Sequence, residues 1–420
     1  MNKPKIRFKG FEGEWNLPSI EDVFEIRNGY TPSKSVESYW IGGTIPWFRM
    51  EDIRASGGFL EDSIQHITPQ AVKNNGLFEK GSIIMATTAT IGVHAQLIAD
   101  SLANQQFTNF LIRKSLRERI IAKYVYYAFF GIDEWAIKNT NSGGLLSVNM
   151  PLLLKQPFFV PSLPEQRAIA SYFTSLDAQI AASTSRLSSL KQIKAASLLN
   201  MFPQKGETVP RVRFKGYQGE WKEMQFGVAF EYQRNNSLSR AELSDEGIVA
   251  NIHYGDVLIK YGDCLDVSKD VLTYVKDKKI GMALYKKGAL RNGDVIFADA
   301  AEDNTVGKCT EVICEENVCI ISGLHTIACR PQVEVVERYL GCSLNSPSFH
   351  NQLLPHIQGT KISSISKNAL SSTSIFLPSL PEQRAIASYF TALDAQITLQ
   401  RERLEKLKQI KAACLEKMFA

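Results

Sequence analysis

The first half of the chain contains no cysteine. All seven cysteines of the 420 residues lie between positions 264 and 414. An odd number without counterparts in the first half argues against a disulfide framework. Cys309, Cys314 and Cys319, followed by His325 and Cys329, also lack the C-x2-C pair with which one short turn supplies two zinc ligands. We expect reduced, mostly buried thiols, with a zinc site as the alternative.

Familiar catalytic motifs are also missing. The sequence has no Asn-Pro-Pro-Tyr tetrapeptide, no G-x-x-x-x-G-K-[ST] phosphate loop, no proline-aspartate nuclease signature, no G-x-S-x-G turn and no H-E-x-x-H helix. Asp299, Glu302 and Asp303 form the best candidate for an unrecognised catalytic site. The corresponding residues of the first half, 86–89, carry no carboxylate, so we interpret the chain as a protein that recognises its ligand without transforming it.

Charge of one sign and long apolar runs are both scarce. The 48 basic and 43 acidic residues leave a net charge of +5, which permits an anionic partner without requiring one. The N-terminal sequence MNKPKIRFKG has no apolar signal core, and no stretch approaches the length of a membrane span. A cytoplasmic protein is the default expectation.

What the sequence does contain is a repeat. Residues 161–202 match residues 378–419 at 31 of 42 positions, and residues 7–15 return as residues 213–221. A fainter echo relates residues 80–86 to residues 292–298. The offset between the copies grows from 206 to 217 along the chain, which indicates one fold used twice with loops of different length. The boundary falls in the breaker-rich stretch 203–206.

Each copy of the long repeat predicts a long helix. Ser162-Leu163-Pro164-Glu165 and its second copy at Ser379 fit the S-x-x-E capping pattern, in which the glutamate reaches back to the start of the helix. A helix of about 38 residues would be roughly 57 Å long. The 3-4 spacing of a coiled-coil seam is kept by Ile169, Phe173, Leu176, Ile180, Leu187, Leu190 and Met201, and by Ile386, Phe390, Leu393, Ile397, Leu404, Leu407, Cys414 and Met418. We expect an antiparallel pair within the chain; the alternative is that each helix packs only on its own domain.

The outer faces of the two predicted helices repeat as well. Arg167, Gln179, Lys191, Gln192 and Lys194 match Arg384, Gln396, Lys408, Gln409 and Lys411. A solvated face would explain these residue types. Their repetition favours two copies of one partner.

The residues between the repeats predict compact β-rich α+β domains. Short β-branched and aromatic runs are separated by glycine, threonine and asparagine, and a short helix is expected at 120–130. The expected strands are 82–85, 93–98 and 107–112 in the first half, and 294–298 and 326–330 in the second. His94 alternates with apolar neighbours and is predicted to be a packed histidine.

Polar loops between these strands are candidates for reading base edges. Asn and Gln can pair bidentately with adenine, and Arg or Lys with guanine. For any single residue a solvated turn is the alternative. The first-half candidates are Lys34, Trp47, Arg49, Arg54, Thr87, Thr88, Thr90, Asn104, Gln105, Gln106, Asn141 and Ser142. The second-half candidates are Arg234, Asn235, Asn236, Asn304, Lys308, Gln358, Thr360 and Lys361.

Over nearly its whole length the chain resembles the DNA specificity subunits of type I restriction-modification systems. The most specific marks are the two P-S-L-P-E-Q-R-A-I-A helix starts with Leu-Asp-x-Gln-Ile downstream. Gly29-Tyr30-Thr31-Pro32, the segment 39–47 and Thr90-Ile91-Gly92 resemble target recognition domain motifs. The second half lacks the Tyr-Thr-Pro and Pro-Trp pieces, which assigns its domain to a different recognition subfamily.

The resemblance implies an α+β fold. Two pseudo-symmetric, β-rich α+β target recognition domains would be joined by two long antiparallel helices that form a coiled coil. The expected boundaries are 1–160 for the first recognition domain, 161–203 for the central helix, 204–377 for the second recognition domain with a linker at 203–210, and 378–420 for the C-terminal helix.

The resemblance also implies a function. Each recognition domain would bind one half of a split, asymmetric double-stranded DNA target in the major groove, with half-sites on the order of 10 bp apart, centre to centre. The paired helices would set the spacer and bind two modification subunits, which carry S-adenosylmethionine and methylate an adenine in each half-site. Restriction subunits that use ATP and Mg would complete the nuclease, while this chain would bind no cofactor itself. The alternative is a stand-alone sequence-specific nucleic-acid-binding regulator that needs no partner.

Overall fold

The structure, a computed structural model, describes residues 3–141, 146–315, 318–359 and 361–419. It divides into two compact units. Unit 1 comprises Met1–Thr184 and Glu402–Ala420, and unit 2 comprises Ser185–Arg401. Each unit therefore contains one variable domain and a part of both long helices. Within the described residues, no helix is both long and apolar enough to cross a membrane.

The two long helices and the helix expected near residues 120–130 are present, together with shorter helices that were not predicted. The α-helices of the first half are α1 (Ile20–Val23), α2 (Met50–Ser56), α3 (Ala122–Lys138), α4 (Met150–Leu154) and α5 (Leu163–Asn200). Those of the second half are α6 (Phe226–Ala229), α7 (Tyr254–Ile259), α8 (Lys278–Gly288), α9 (Tyr339–Leu344), α10 (Pro347–Leu353), α11 (Lys367–Ser371) and α12 (Leu380–Phe419). The helix expected at 120–130 begins two residues later and continues to Lys138.

The five strands expected from β-branched and aromatic runs are all present, each within one residue of its expected bounds, and further strands accompany them. In the first half they are β1 (Phe24–Asn28), β2 (Ile45–Phe48), β3 (Phe59–Leu60), β4 (His66–Ile67), β5 (Ile83–Ala86), β6 (His94–Leu97), β7 (Leu102–Ala103), β8 (Phe107–Ile112), β9 (Thr140–Asn141) and β10 (Ser147–Val148). In the second half they are β11 (Lys222–Gln225), β12 (Phe230–Tyr232), β13 (Leu243–Ser244), β14 (Val249–Ile252), β15 (Cys264–Asp266), β16 (Tyr274–Val275), β17 (Val295–Ala298), β18 (Ala300–Ala301), β19 (Cys309–Ile313), β20 (Cys319–Ser322), β21 (Thr326–Pro331), β22 (Ser363–Ser364) and β23 (Ser374–Leu377).

The main sheets of the two units have the same topology. The order is β1-β8-β5-β6-β3 in unit 1 and β12-β21-β17-β19-β15 in unit 2. In both sheets the last pair is parallel and the other pairs are antiparallel. A parallel pair stands beside each main sheet: β2 with β7 in unit 1 and β14 with β20 in unit 2. The predicted reuse of one α+β fold is confirmed.

The helix that covers the main sheet differs between the units. In unit 1, α3 is continuous and packs Tyr126 and Phe129 against aromatic side chains of β1, β3, β6 and β8. The same place in the chain order of unit 2 holds two helices, α9 and α10. Ser346 accepts from the amide of Phe349 at the start of α10, and Pro347, which lacks a backbone donor, cannot continue the preceding helix. One long helix is thereby replaced by two short ones.

His94 is a core residue, as predicted. Its side chain lies 2.5 Å from the carboxylate of Asp133 through Nδ1 and 2.8 Å from the carbonyl oxygen of Tyr126 through Nε2. Both ring nitrogens therefore have hydrogen-bond partners inside unit 1. The pair ties β6 to α3 inside unit 1.

The two long helices pair antiparallel within each unit. In unit 1, Phe173 of α5 lies against Phe419 of α12, with ring centroids 6.4 Å apart. In unit 2, Phe202, which follows α5, stacks on Phe390 of α12 at 6.2 Å. The predicted seam residues Ile169, Phe173, Leu176, Met201, Ile386, Phe390, Leu393, Ile397, Leu404 and Met418 are buried, while Ile180, Leu187, Leu190, Leu407 and Cys414 are partly buried. The predicted coiled-coil pair is confirmed.

Ion pairs at matching positions join the helices. In unit 1, Lys411 lies 2.6 Å from Asp177 and over the ring of Phe130. In unit 2, Lys194 lies 2.6 Å from Asp394 and 2.7 Å from Asp263. These two lysines were expected on the partner-binding face. The structure gives them a role inside their own units, and their contact with a partner remains a prediction.

Replacing Lys411 with methionine tests this structural role. We expect the free energy of unfolding to fall by about 1 kcal/mol, because Lys411 and Asp177 are both largely shielded from water. Lys408→Met is the matched control, since Lys408 is half exposed and, among the described residues, its ion pair is with Glu405 one turn away; its loss should be below about 0.5 kcal/mol. Urea unfolding followed by circular dichroism measures both, and equal losses would contradict the assignment.

The predicted capping role of the repeated glutamate is wrong. The helix does start at Leu163, but the carboxylate of Glu165 is buried and accepts from Arg7 Nε at 2.6 Å, Arg7 Nη2 at 2.7 Å and Trp15 Nε1 at 3.2 Å. Hydrogen bonding to Glu165 raises the pKa of Arg7. The glutamate therefore holds the opening segment, residues 7–15, on the helix start.

The second copy repeats this clamp. Arg213 Nε and Nη2 lie 2.6 and 2.7 Å from Glu382. The glutamine that follows the glutamate makes equivalent contacts in both copies. The buried side-chain amides of Gln166 and Gln383 hydrogen-bond to backbone groups just before each helix and to backbone groups of each variable domain. The repeat is thus a structural device that attaches each variable domain and each opening segment to a helix.

Candidate nucleic-acid interface

Strand ends converge at one edge of each unit, here called the polar edge. In unit 1 it comprises residues 48–49, 86–90 and 103–107, and in unit 2 residues 252–253, 298–301 and 322–326. The amide of Asn104 donates to the carbonyl of Phe48 at 3.0 Å, and the amide of Gly323 donates to that of Ile252 at 2.8 Å. The two bonds occupy the same place in the shared topology.

A second pair of backbone bonds fixes the correspondence further. The amide of Thr87 donates to the carbonyl of Gln106 at 2.9 Å, and the amide of Asp299 donates to that of His325 at 3.1 Å. The strand pairings agree, because Ala86 faces Phe107 and Ala298 faces Thr326. Thr87 therefore corresponds to Asp299, and Gln106 corresponds to His325.

The polar edge of unit 1 gathers several predicted residues. Asn104 Oδ1 accepts from the amide of Gln106 at 3.0 Å, and Thr31 Oγ1 donates to Gln105 Oε1 at 2.5 Å. Gln105 is exposed, and Asn104 and Gln106 are partly exposed. Arg49 follows β2 at the N-cap position of α2, where its backbone amide donates to Asp52, and its guanidinium is partly buried. Amide and guanidinium groups are thus held together on ordered loops.

The loop after β5 is strained. Ala89 has a φ of +62°, a region that residues with a side chain seldom adopt, and its amide donates to the carbonyl of Leu146. Thr88 pairs with Ser147, and Thr88 and Thr90 are partly exposed. Thr87, in contrast, is buried, with its hydroxyl 2.8 Å from that of Thr108. The strained turn presents Thr88 and Thr90 at the polar edge.

Two of the side chains predicted to contact DNA are instead hydrogen-bonded to backbone groups of the protein itself. Trp47 is 2% exposed and its Nε1 donates to the carbonyl of Tyr30. Lys308 Nζ donates to the carbonyls of Leu258 and Tyr261, and burial lowers its pKa. Direct base contacts from these two side chains are therefore not expected; Trp47 positions the loop at Tyr30.

The polar edge of unit 2 contains two residues, Asp299 and His325, that the sequence alone does not predict as DNA contacts. Asp299 follows β17, and His325 precedes β21 with Nδ1 3.2 Å from Asp299 Oδ1. Burial raises the pKa of the Asp299 carboxyl, and His325 opposes that shift. The ring of His325 lies edge-on to Tyr254, with centroids 5.4 Å apart.

The sequence signal for these two residues is uneven. The similarity of residues 80–86 to residues 292–298 aligns Asp299 with Thr87. Asp299 could therefore have been proposed from the sequence. No local sequence motif marks His325, and its correspondence to Gln106 is identified only from the strand register of the structure. His253 corresponds to Arg49 as a helix cap, but it is buried, its Nδ1 accepts from the amide of Gly255, and burial lowers its pKa.

Asn235 and Asn236 support the polar edge of unit 2. Asn235 Nδ2 donates to the carbonyl of Thr326, and Asn236 Nδ2 donates to the carbonyl of Ser322 and to Asn251 Oδ1. Their amides hold the turn that carries His325. Exposed predicted residues at other places are Lys34, Arg54, Asn141, Arg234, Asn304, Gln358 and Lys361. Ser142 and Thr360 lie outside the described residues.

The candidate catalytic carboxylates and the candidate zinc ligands do not form a shared site among the described residues. Asp303 accepts from Thr305, Glu302 is exposed, and Asp299 is paired with His325, so each carboxylate has a separate environment. Among the described residues, no group of three or more His, Cys, Asp and Glu side chains has the arrangement of a metal site. All seven cysteines are free thiols; Cys309, Cys329 and Cys342 are buried, whereas the other four are only partly buried, so the expectation of mostly buried thiols is wrong for those four.

The predicted partner face is exposed on both helices. Arg167, Gln179, Lys191, Gln192, Arg384, Gln396, Lys408 and Gln409 all lie in solvent. Their matching positions on α5 and α12 follow from the sequence repeat.

Known proteins match both halves of the chain. The family model described as the type I restriction modification DNA specificity domain matches residues 12–192 and again residues 218–409. The type I restriction enzyme EcoprrI specificity subunit of Escherichia coli is 44% identical over 152 residues. The MjaIX specificity subunit of Methanocaldococcus jannaschii is 31% identical over 174 residues. These matches cover 36% and 39% of this chain and 37% and 38% of the relatives' own length.

Solved structures match the fold over nearly the whole chain. The S subunit of a type I restriction-modification system from M. genitalium aligns with a TM-score of 0.55 at 14% identity, covering 100% of this chain and 99% of its own. A chain from a structure concerned with assembly and conformational transition of the type I R-M system aligns with a TM-score of 0.59 at 17% identity, covering 96% and 97%. With two matches to its family model, the chain belongs to the family of type I restriction modification DNA specificity domains and carries that domain twice.

Proposed function

We propose that this chain is the non-catalytic DNA-specificity subunit of a type I restriction-modification complex. Unit 1 reads one half of a two-part DNA target and unit 2 reads the other. The observation that carries the proposal is the polar edge: the two units share its backbone hydrogen bonds but present different side chains there. One scaffold with two sets of side chains suits an asymmetric target.

The side chains of unit 1 have the chemistry that base edges require. Amides such as Gln105 and Gln106 can pair bidentately with adenine, and Arg49 or Arg54 with guanine. Phosphate contacts would come from exposed basic residues such as Lys34. Hydrogen bonds from Thr31 to Gln105 and from the backbone of Gln106 to Asn104 order the loop 104–106 before DNA arrives, which reduces the conformational entropy lost on binding.

The long helices supply the second part of the proposal. Their exposed faces repeat residue by residue, which suits two copies of one partner, a modification subunit that carries S-adenosylmethionine and methylates adenine. Restriction subunits that use ATP and Mg would join the same complex. In this arrangement α5 and α12, each of which contributes residues to both units, set the spacer between the half-sites.

Methylation mapping in cells tests the proposal. Single-molecule sequencing of cells with and without the gene should show N6-methyladenine in a split, asymmetric motif that disappears on deletion. Gln106→Ala, supplied to the deletion strain, should relax one block of the motif by ~5- to 150-fold at one base pair and leave the other block unchanged. Methylation that persists without the gene, or a single unbroken motif, would contradict the proposal and favour a stand-alone regulator.

A further inference from the structure

We propose that the Asp299–His325 pair determines specificity for one base pair of the half-site read by unit 2, and that its ligand is a base with an exocyclic amino group. The inference rests on the proposed function and adds the residues and the ligand chemistry. It starts from the topological correspondence: Asp299 and His325 occupy the places of Thr87 and Gln106 at the polar edge.

The pair is accessible on the side that a ligand would approach. The His325 side chain is 53% exposed and that of Asp299 is 25% exposed. Asp299 directly follows the buried strand β17, and His325 directly precedes the strand β21. The main sheet therefore fixes the backbone position of both residues. His325 also has a φ of +53°, as Ala89 has +62° at the polar edge of unit 1. Strained backbone of this kind persists where the surrounding structure determines it, and it collects at ligand-binding positions.

The chemistry of the carboxylate determines which residue of the pair donates the hydrogen bond and which accepts it. An ionised carboxylate only accepts, so the bond between His325 Nδ1 and Asp299 Oδ1 has the histidine as donor. Among the residues that the structure describes, Asp299 Oδ2 has no hydrogen-bond partner, and three quarters of the Asp299 side chain is shielded from water. A desolvated acceptor of this kind favours a ligand that donates.

In the major groove two bases donate through an exocyclic amino group: cytosine through N4 and adenine through N6. Asp299 Oδ2 can accept from either, while a thymine or guanine in that strand position would place an oxygen acceptor against the carboxylate. The unpaired carboxylate would then be left buried, which penalises the wrong base. The pair therefore contributes more to discrimination than to affinity.

Neighbouring residues limit the freedom of the pair. Tyr254 lies edge-on to His325, and Asn235 fixes the carbonyl of Thr326, the residue that follows His325. Ile365 donates its amide to the carbonyl of Asp299. These contacts engage the backbone on both sides of the pair, so replacing the Asp299 or His325 side chain leaves them intact.

The experiment uses the full chain in its own cells, with the deletion strain complemented by the wild-type gene, Asp299→Asn or His325→Asn. Asparagine tolerates positive φ better than most residues, so the second variant respects the backbone at 325. Each variant should lower the preference for the original base at one position of one block by ~5- to 150-fold, with the other block unchanged. The original base at that position should be cytosine or adenine on the contacted strand, and the wild-type motif distinguishes the two.

Asp62→Asn is the matched control, because Asp62 is paired with His66 at 2.6 Å in unit 1. It should not change the block that Asp299→Asn alters. A wild-type split motif that both Asp299→Asn and His325→Asn leave unchanged would overturn this inference while the proposed function stands. A wild-type chain that directs no split motif would overturn the proposed function, and this inference with it.

Discussion

Replacing Glu165 with alanine is expected to lower the free energy of unfolding of unit 1 by about 3–5 kcal/mol, the usual effect of removing one partner of a buried ion pair. The Glu165 side chain is 1% exposed and that of Arg7 is 17% exposed. The change would leave the guanidinium of Arg7 and the indole nitrogen of Trp15 without their shared acceptor. Urea unfolding followed by circular dichroism measures the effect.

Two controls separate burial from charge. Glu405→Ala removes an exposed carboxylate that pairs with Lys408, and the loss should be below about 0.5 kcal/mol. Glu382→Ala breaks the equivalent clamp in unit 2. Its loss should be smaller than that of Glu165→Ala by about 1 kcal/mol, because Trp221 Nε1 is buried without a hydrogen-bond partner among the described residues, whereas Trp15 donates to Glu165. An equal, small loss for all three variants would contradict the clamp.

The clamp also shows what the sequence could predict. The pattern Ser-Leu-Pro-Glu correctly placed the helix start, because a proline in the first turn has no amide to leave unpaired. It misassigned the glutamate, because a capping box is a local pattern and Arg7 lies 158 residues away. Long-range ion pairs leave no spacing signal in one sequence. The repeat of residues 7–15 as 213–221 was the only hint that both segments serve one contact.

The polar edge shows the same limit. Gln105 and Gln106 could be proposed from the sequence because amides in a loop have a known base-pairing chemistry. Trp47 was proposed for its neighbours in a Pro-Trp motif, and the structure buries it. His325 could not be proposed, because its correspondence to Gln106 depends on strand register and not on residue type. The chemical type of a loop residue can be read from the sequence. Which strand ends come together in space cannot, because that depends on the strand register.

Lengthening both long helices by one heptad is expected to lengthen the spacer of the methylated motif by about 3 bp. Duplicating residues 178–184 in α5 and residues 395–401 in α12 preserves the 3-4 seam, because each insertion is one heptad long and the two segments occupy equivalent positions at the repeat offset of 217. Seven residues add roughly 10.5 Å of helix, and base pairs are stacked about 3.4 Å apart. Methylation sequencing of cells that carry the variant gives the spacer directly.

The helical twist of DNA makes this prediction stricter. Three extra base pairs turn the second half-site by about 100° around the duplex, since one turn contains about 10.5 bp, so one heptad should weaken methylation as well as move it. Three heptads add about 9 bp, nearly a full turn, and should recover much of the loss. A heptad in only one helix should abolish methylation, because the seam and the ion pairs Lys411–Asp177 and Lys194–Asp394 could not form together. An unchanged spacer with both helices lengthened would show that the helices do not set it.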